Sequence, residues 1–256
     1  MLDVVRPRHR PGAALLERAC GPGVGAQPPA AGQRHVARTS TRGVRAAPTG
    51  GRSRFRRRYG RGVKSPDTRW HDGAVTAQDR AGALGFEGAT VWLTGLPASG
   101  KSTLAVEVEA LLVGAGRPAL RLDGDNLRHG LNGDLGFSAL DRAENVRRTA
   151  HAAALLAEAG VVALVALVSP YATDRATARA IHADAGVRFL EVWIATPLAE
   201  CERRDPKGLY ARARAGELPG LTGVGDVYEE PASPELAIGD AEPIPAAAAR
   251  VLAQLA

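Results

Sequence analysis

The segment Gly95–Ser102 constrains the fold more than any other part of the sequence. It reads Gly-Leu-Pro-Ala-Ser-Gly-Lys-Ser and matches G-x-x-x-x-G-K-[ST], the pattern of a loop that binds phosphate groups. The apolar run Thr90–Thr94 before it predicts a buried strand, and Ser102–Val113 after it predicts a helix. This phosphate loop (Gly95–Ser102) therefore predicts an α/β fold built around a strand, a loop and a helix.

The lysine of the motif indicates that the match has not arisen by chance. The chain has three Lys against 30 Arg, so composition rarely places a Lys at this position. A compact ammonium fits among phosphate oxygens where a planar guanidinium does not. We expect backbone N–H groups and the helix N-terminus to bind the phosphates, Lys101 to neutralise the β and γ oxygens, and Ser102 to ligate Mg²⁺.

Charge is divided unevenly along the chain. Residues 1–64 hold 15 Lys/Arg and 2 Asp/Glu, whereas residues 65–256 hold 18 and 25. The sequence thus predicts a basic extension over residues 1–65 and a mildly acidic globular domain over residues 66–256. No run of 18 apolar residues is present, which argues against a membrane span, and two Cys are too few for a disulfide framework. We expect a cytoplasmic protein without a membrane partner.

The basic extension lacks the periodicity of a helix or strand, and its Arg, Gly, Pro and Ala content predicts disorder. Three interpretations stay open. It is a nucleic-acid tether, since Arg52–Arg61 interleaves Arg with Phe55 and Tyr59; a transit peptide; or translated upstream sequence without a role. We favour the third, with a native start near Val63 and no nucleic-acid partner.

Strand-like and helix-like segments alternate after Trp70. The predicted strands are Thr90–Thr94, Ala119–Leu122, Val161–Val168, Phe189–Ile194 and Leu236–Ile238. The predicted helices are Lys101–Val113, Asp141–Ala159, Thr173–Ala185, Pro197–Arg204 and Pro245–Leu255. This alternation predicts a parallel sheet covered by helices on both faces. Ligands bind at the carboxyl ends of the strands in such sheets.

Two carboxylates follow the second predicted strand. Asp123 and Asp125 flank Gly124, which lets the backbone approach a ligand closely. In phosphoryl transfer, a carboxylate at this place orients or deprotonates an acceptor hydroxyl and holds a water on Mg²⁺. Asp125 is the better candidate, because Asp123 can still point into the sheet. The alternative is a plain turn and helix cap.

A polar helix start comes next in the sequence. Ser138-x-x-Asp141 resembles a capping box. Arg142 and Asn145 are three residues apart and share a helix face, which suits an anionic acceptor. Phe137 is either a hydrophobic staple or a platform on which a base stacks.

Two further segments follow the third and fourth predicted strands. Ser169 either contacts substrate or accepts a phosphoryl group, or it opens a helix in a Ser-Pro turn. Residues 201–216 hold Lys207 and four Arg. They predict a basic lid that closes over phosphates and excludes water; the alternative is a solvated basic helix.

Taken together, these motifs resemble the adenylylsulfate kinase family from about Trp70 to the C-terminus. The motifs that carry the resemblance are T-V-W-L-T-G-L-x-x-S-G-K-S-T from Thr90, L-D-G-D-N-x-R-H-G-L from Leu122, D-L-G-F-S from Asp134, D-R-x-E-N-x-R-R from Asp141, S-P-Y from Ser169, D-P-K-G-L-Y-x-x-A-R-A-G from Asp205 and Y-E-E-P from Tyr228. The phosphate loop is generic among NTPases. The D-G-D-N, D-R-x-E-N and D-P-K-G-L-Y motifs together are specific to this family.

The resemblance implies a P-loop NTPase fold with a basic lid, and a kinase of sulfate assimilation. Such a kinase uses ATP and Mg²⁺ to phosphorylate the 3′-hydroxyl of adenylyl sulfate (APS), giving 3′-phosphoadenylyl sulfate (PAPS). It also implies a homodimer and a sulfate adenylyltransferase as possible partner.

The resemblance also implies roles for individual residues. ATP binding falls to Gly95, Leu96, Pro97, Ala98, Ser99, Gly100, Lys101, Ser102 and Thr103. Catalysis falls to Lys101, Asp123, Asp125 and Ser169, the last matching a phosphoserine position that direct in-line transfer does not need; the metal falls to Ser102 and Asp125. Acceptor binding falls to Arg128, Phe137, Arg142, Asn145, Lys207 and Leu221.

The sequence departs from the family pattern around the acceptor. The family has Arg, Lys and an aromatic residue where this chain has Ala172, Pro219 and Leu221. The loop Gly223–Tyr228 reads G-V-G-D-V-Y instead of G-I-D-x-P-Y. Losing half of an aromatic sandwich costs about 1 kcal/mol of stacking. Two alternatives follow: a diverged kinase for another small hydroxyl substrate, and a nucleotide-responsive protein that binds nucleic acid through its basic extension.

Overall fold

The computed structural model describes His71 and residues 73–256. The predicted basic extension, with its candidate start at Val63, lies outside the described residues. Within the part that is described, no helix has the length and apolar character needed to cross a membrane.

Five parallel strands form one sheet in the order β2-β3-β1-β4-β5. The strands are β1 Ala89–Thr94, β2 Ala119–Asp123, β3 Val162–Ala166, β4 Arg188–Ala195 and β5 Leu236–Gly239. The predicted parallel sheet is confirmed, although β3 is shorter than Val161–Val168. Strands β1 and β3 are buried along their whole length, which explains their continuous apolar sequences.

The described part of the chain contains eight helices. They are α1 Ala77–Leu84, α2 Lys101–Gly114, α3 Gly124–Leu127, α4 Ala139–Glu158, α5 Ala172–Ala185, α6 Leu198–Arg204, α7 Leu209–Arg214 and α8 Ile244–Ala253. The sequence did not predict α1, which begins with a capping box between Thr76 and Asp79 and ends at Gly85. The short helix α3 begins at the Asp123 cap, and α7 is the second helix of the predicted lid.

Helices cover both faces of the sheet, as the sequence predicts. Alternate residues of a strand point to opposite faces, so Val91 and Leu93 of β1 enter the core under α2 and α8. Trp92 enters the core on the other face, under α4 and α5. Strand β1 therefore lies between two apolar layers. The phosphate loop follows this strand, which is hydrogen-bonded to β3 on one side and to β4 on the other.

Helix α5 buries a neutral histidine against the sheet. The Nδ1 atom of His182 lies 2.7 Å from the carbonyl oxygen of Ala178, and its Nε2 lies 2.9 Å from Oγ1 of Thr90. Because a carbonyl accepts and never donates, Nδ1 carries the proton and Nε2 accepts from the Thr90 hydroxyl. The ring also contacts Phe189 at 4.8 Å between centroids. Burial lowers the pKa of His182 to about 4.

This burial predicts a loss of stability in acid. An unfolded histidine takes up a proton near pH 6.5, whereas folded His182 stays neutral down to about pH 4. The free energy of unfolding therefore falls as pH drops from 6.5 towards 4, by up to about 3 kcal/mol from this group. Urea denaturation at pH 7.0 and 5.0 measures the loss. The loss is expected to be smaller in His182→Gln, and equal losses in both proteins would contradict this explanation.

Candidate functional site

The phosphate loop has a shape that a side chain at its first position would prevent. A Cβ on Gly95 would lie 2.8 Å from the carbonyl oxygen of Ile194 and 2.9 Å from Oγ of Ser99. Ala98 adopts a left-handed backbone conformation, with φ of +61°. The loop therefore curls tightly between β1 and α2, which places the N-terminus of α2 and its unpaired N–H groups at the carboxyl end of the sheet.

The ammonium of Lys101 lies inside the phosphate loop. Its Nζ donates to the carbonyl oxygens of Gly95, at 2.9 Å, and Leu96, at 2.7 Å, and to Oγ of Ser99, at 3.3 Å. These three contacts use all three N–H donors of the ammonium. The residue is 8 % exposed, and burial lowers the pKa of Lys101 to about 8. The charged group thus lies inside the loop, surrounded by the loop's own oxygens.

Ser102 lies against the end of β2. Its Oγ donates to Oδ2 of Asp123 at 2.6 Å, while Oδ1 of Asp123 caps α3 by accepting from the N–H of Asp125 at 3.1 Å. Arg121 also donates to Oδ2 of Asp123 at 3.4 Å. The sequence predicted Ser102 and Asp125 as the metal pair, and the structure instead brings Ser102 to Asp123. A hydroxyl and a carboxylate beside phosphates are oxygen donors of the kind that Mg²⁺ prefers, so this pair fits the ion.

Asp125 extends away from Ser102 and Asp123 towards the predicted lid (residues 201–216). Its carboxylate forms an ion pair with the Nζ of Lys207, and both side chains are mostly exposed. The lid also anchors itself, since Tyr210 donates to the carbonyl oxygen of Pro97 at 3.0 Å. The ion pair therefore joins the lid to Asp125, and the hydrogen bond of Tyr210 joins it to the phosphate loop.

The predicted acceptor residues Arg128, Phe137 and Arg142 lie together beyond α3. Phe137 is 67 % exposed, so it is not packed as a hydrophobic staple. The guanidinium of Arg128 lies 4.1 Å from its ring centroid and that of Arg142 lies 5.9 Å away. An exposed aromatic ring close to two guanidinium groups is suited to bind a base that carries negative groups.

Asn145 is hydrogen-bonded to Asn132, a buried residue that the sequence pattern did not reveal. Nδ2 of Asn132 donates to Oδ1 of Asn145 at 2.5 Å and to Oγ1 of Thr149 at 3.3 Å. Asn132 and Thr149 are fully buried. Because Oδ1 of Asn145 is used, its amide nitrogen is the group left to face a ligand.

Ser169 is buried and 4 % exposed, and its φ of +39° lies in the left-handed region. Its Oγ accepts from Nε1 of Trp92 at 3.1 Å and donates to Oγ1 of Thr94 at 3.0 Å. Thr94 in turn donates to the carbonyl oxygen of Val168 at 2.8 Å, so the hydroxyl of Tyr228, 3.0 Å away, donates to Thr94. The Ser169 hydroxyl thus belongs to a hydrogen-bond chain in which each proton has an acceptor.

Next to this hydrogen-bond chain, Arg175 joins the loop after β3 to the loop before β5. It is 3 % exposed, and its guanidinium donates to the carbonyl oxygens of Ser169, at 2.8 Å, Pro170, at 3.1 Å, and Glu229, at 2.7 Å. Its Nε also donates to Oε1 of Glu191 at 2.8 Å. The sequence signal that could have revealed Arg175 is Glu191, a charge inside the apolar strand F-L-E-V-W-I. A buried carboxylate requires a cationic partner.

Leu221, the other residue of the predicted aromatic sandwich, packs against other residues than Phe137 does. It is buried with Cys201 and Tyr210 in a small apolar cluster beneath the lid, and burial raises the pKa of the Cys201 thiol. Its neighbour Gly220 accepts a hydrogen bond from Nη2 of Arg142 at 3.0 Å. The segment therefore connects the lid to the acceptor residues through its backbone.

A cavity of about 690 Å³ lies next to the site, between the end of β4 and the segment 223–230. Leu96, Trp193 and Glu230 are among its lining residues. The lining also includes Asp226, but it does not include Ser102, Asp123 or Arg142, so the cavity touches the phosphate loop without enclosing the predicted site.

The chain matches the family model for adenylylsulphate kinase over residues 87–239. An adenylyl-sulfate kinase from Yersinia pestis is 51% identical over 167 residues, which cover 65% of this chain and 78% of that protein. The bifunctional enzyme CysN/CysC of Mycobacterium tuberculosis is 57% identical over 172 residues, which cover 67% of this chain. The match spans 27% of that longer relative.

A solved structure shows the same fold. The Mycobacterium tuberculosis APS kinase CysC, in complex with AMPPNP and APS, has a TM-score of 0.65 and 54% sequence identity. The match covers 66% of this chain and 98% of that chain.

Removing the buried guanidinium is expected to destabilise the fold strongly. Arg175→Met leaves Glu191 buried with one exposed partner, Arg179, and frees three carbonyl groups. We expect the free energy of unfolding to fall by about 3 kcal/mol. The matched control Arg179→Met removes a side chain that is 39% exposed and is expected to cost less than about 1 kcal/mol. Urea denaturation compares them, and equal costs would contradict this assignment.

Proposed function

Because the chain belongs to the adenylylsulphate kinase family, we propose that it transfers the γ-phosphoryl group of ATP to the 3′-hydroxyl of adenylyl sulfate, giving 3′-phosphoadenylyl sulfate. The family match supports the reaction. The structural observation that carries the proposal is the short helix α3, which begins at the Asp123 cap beside Ser102 and is followed by Arg128 of the Arg128–Phe137–Arg142 cluster. This connection supports a donor site next to an acceptor site.

Lys101 is proposed to bind the β- and γ-phosphates. In the structure its ammonium satisfies its hydrogen bonds within the loop, so no reorganisation of distant elements is needed when phosphate oxygens take over some of these contacts. The N-terminus of α2 adds backbone N–H donors. Charge that develops on the transferred group is therefore met by fixed donors.

Mg²⁺ is the metal that the site residues fit. We propose that Ser102 holds it, with Asp123 behind Ser102 as the residue that orients the hydroxyl. When bound, the ion neutralises charge on the β- and γ-phosphates. Asp125 is then proposed to orient the acceptor hydroxyl and to accept its proton.

The acceptor is proposed to lie on Phe137, with Arg128, Arg142 and Asn145 around it. The Asn145 amide nitrogen and the two guanidinium groups are hydrogen-bond donors, which favours a base bearing phosphate and sulfate groups. Lys207 is proposed to bring the lid to the reacting groups through Asp125. For Ser169 the buried hydrogen-bond chain supports a role in shaping the loop, because its hydroxyl is already bonded at both ends.

We further propose that this kinase works next to an enzyme that makes adenylyl sulfate. The bifunctional CysN/CysC relative, in which a related sequence forms part of a longer chain, supports such a partnership. On the basis of the family resemblance, we also propose that the protein forms a homodimer.

A coupled assay with Mg·ATP and adenylyl sulfate tests the proposal. The wild type is expected to form PAPS, and Lys101→Ala is expected to lower kcat/KM by about 10³-fold or more. Arg250→Ala, which removes a basic surface residue of α8 paired with Glu242, serves as the control and is expected to keep activity. ATP turnover with a different alcohol only would support the diverged kinase. ATP binding without any turnover would support the nucleotide-responsive binding protein.

A further inference from the structure

The 221–228 loop (Leu221–Tyr228) is a tight structure with its own backbone bonds. The N–H groups of Val224, Gly225 and Asp226 converge on the carbonyl oxygen of Leu221, at 3.0, 2.9 and 3.2 Å. The N–H of Gly223 donates back to the carbonyl oxygen of Asp226 at 2.7 Å. This folding fixes the direction in which the side chain of residue 226 leaves the loop.

Position 225 has no room for a side chain. A Cβ on Gly225 would lie 2.8 Å from the backbone nitrogen of Gly220 and 3.3 Å from its Cα. The pattern G-I-D-x-P-Y would place a carboxylate at this position, whereas this chain places it one residue later, at Asp226. The close approach of the two glycines therefore explains why residue 225 of this chain is a glycine and not an aspartate.

Asp226 lies next to one of the predicted acceptor residues, Arg142. Its Oδ2 accepts from the hydroxyl of Tyr171 at 2.8 Å, and its Oδ1 accepts from the N–H of Val227 at 2.9 Å. The same Oδ2 lies 3.9 Å from Nε of Arg142. Tyrosine and backbone thus hold the carboxylate at ion-pair distance from the guanidinium.

Arg142 is otherwise bound to neutral groups. Its Nε donates to the carbonyl oxygen of Phe137 and its Nη2 to that of Gly220, both at 3.0 Å. The side chain is 13% exposed and that of Asp226 is 25% exposed, so solvent screens the pair only in part. In the described part of the chain, Asp226 is the carboxylate that forms an ion pair with Arg142, and it offsets part of the guanidinium's charge.

We propose that Asp226 is a specificity-determining residue that holds Arg142 in place and limits the positive charge which the acceptor site presents to its anionic ligands. This inference rests on the proposed function. PAPS carries one more phosphate group than APS, hence about two more negative charges. A site without Asp226 would bind both more tightly and would release the more highly charged product more slowly. Asp226 thus lowers the affinity for APS and PAPS and speeds the release of PAPS.

The test compares Asp226→Asn with wild type by calorimetric titration of APS and PAPS and by steady-state assay. An asparagine keeps the bond from the Val227 N–H through its oxygen, and its amide nitrogen reverses the bond with Tyr171 by donating to the phenol oxygen. We expect the variant to bind APS about fivefold more tightly at low salt and PAPS at least as much more tightly, with KM and kcat both lowered. The gain in affinity is expected to shrink at 0.5 M salt.

Glu230→Gln provides the matched control. It removes the same charge four residues later, from a side chain that lines the cavity beside Trp193, and is expected to change APS affinity by less than about twofold. Weaker or unchanged binding in Asp226→Asn would assign the residue a merely structural role and overturn the inference, as would an equal gain in Glu230→Gln. A wild type that neither binds nor phosphorylates APS would overturn the proposed function, and the inference with it.

Discussion

The ammonium of Lys101 is buried among three oxygen atoms of its own phosphate loop, and the rest of the site is arranged around that charge. Burying a cation is costly unless each of its donors is bonded. The tight turn at Gly95 brings the two carbonyl groups within reach, and Thr196 supports the loop from β4 by donating to the carbonyl oxygen of Ser99 at 2.9 Å. The cation thus depends on the precise backbone path between β1 and α2, and that path depends on the buried sheet.

A second set of buried polar contacts joins β1 to two loops at the carboxyl end of the sheet. Trp92 and Thr94 belong to β1, the strand that also leads into the phosphate loop. Through Ser169 and Tyr228 they connect this strand to the loops after β3 and before β5. Arg175 bonds the same two loops from below. Because β1 leads into the phosphate loop and is also bonded to these two loops, their positions relative to the phosphate loop are set by a buried strand.

The sequence predicted the parts of this structure that depend on local pattern. The phosphate loop, the five strands and the cap at Ser138 follow from motif and periodicity, which each segment expresses by itself. Sequence pattern could not identify the partners of groups that meet across the fold. Asp123, rather than Asp125, receives the Ser102 hydroxyl because α3 turns Asp125 out towards Lys207. Asn132 and Arg175 act through contacts with residues distant in sequence, and the single clue was Glu191 in an apolar strand.

Leu221 and Asp226 show how a departure from a family pattern acquires a physical meaning. The sequence suggests that Leu221 replaces an aromatic face, while the structure buries it with Tyr210 beneath the lid. The Gly225–Asp226 pair looks like a weakened motif, yet Gly225 allows the contact with Gly220, and Asp226 reaches Arg142. The carboxylate at 226 thus takes the place of the one that the family pattern has at 225, and only the path of the backbone shows where its side chain lies.

The most direct test of the central claim is the pH dependence of binding of the ATP analogue AMPPNP. If the Lys101 ammonium, with its pKa lowered to about 8 by burial, is the group that meets the phosphates, bound nucleotide requires its proton. The dissociation constant is then expected to stay level from pH 7 to about 8 and to rise about tenfold per pH unit above that. In Lys101→Ala, which has no ammonium to lose its proton, binding is expected to be weaker at pH 7 and the alkaline rise is expected to disappear. A wild-type dissociation constant that stays level up to pH 9.5 would contradict the account.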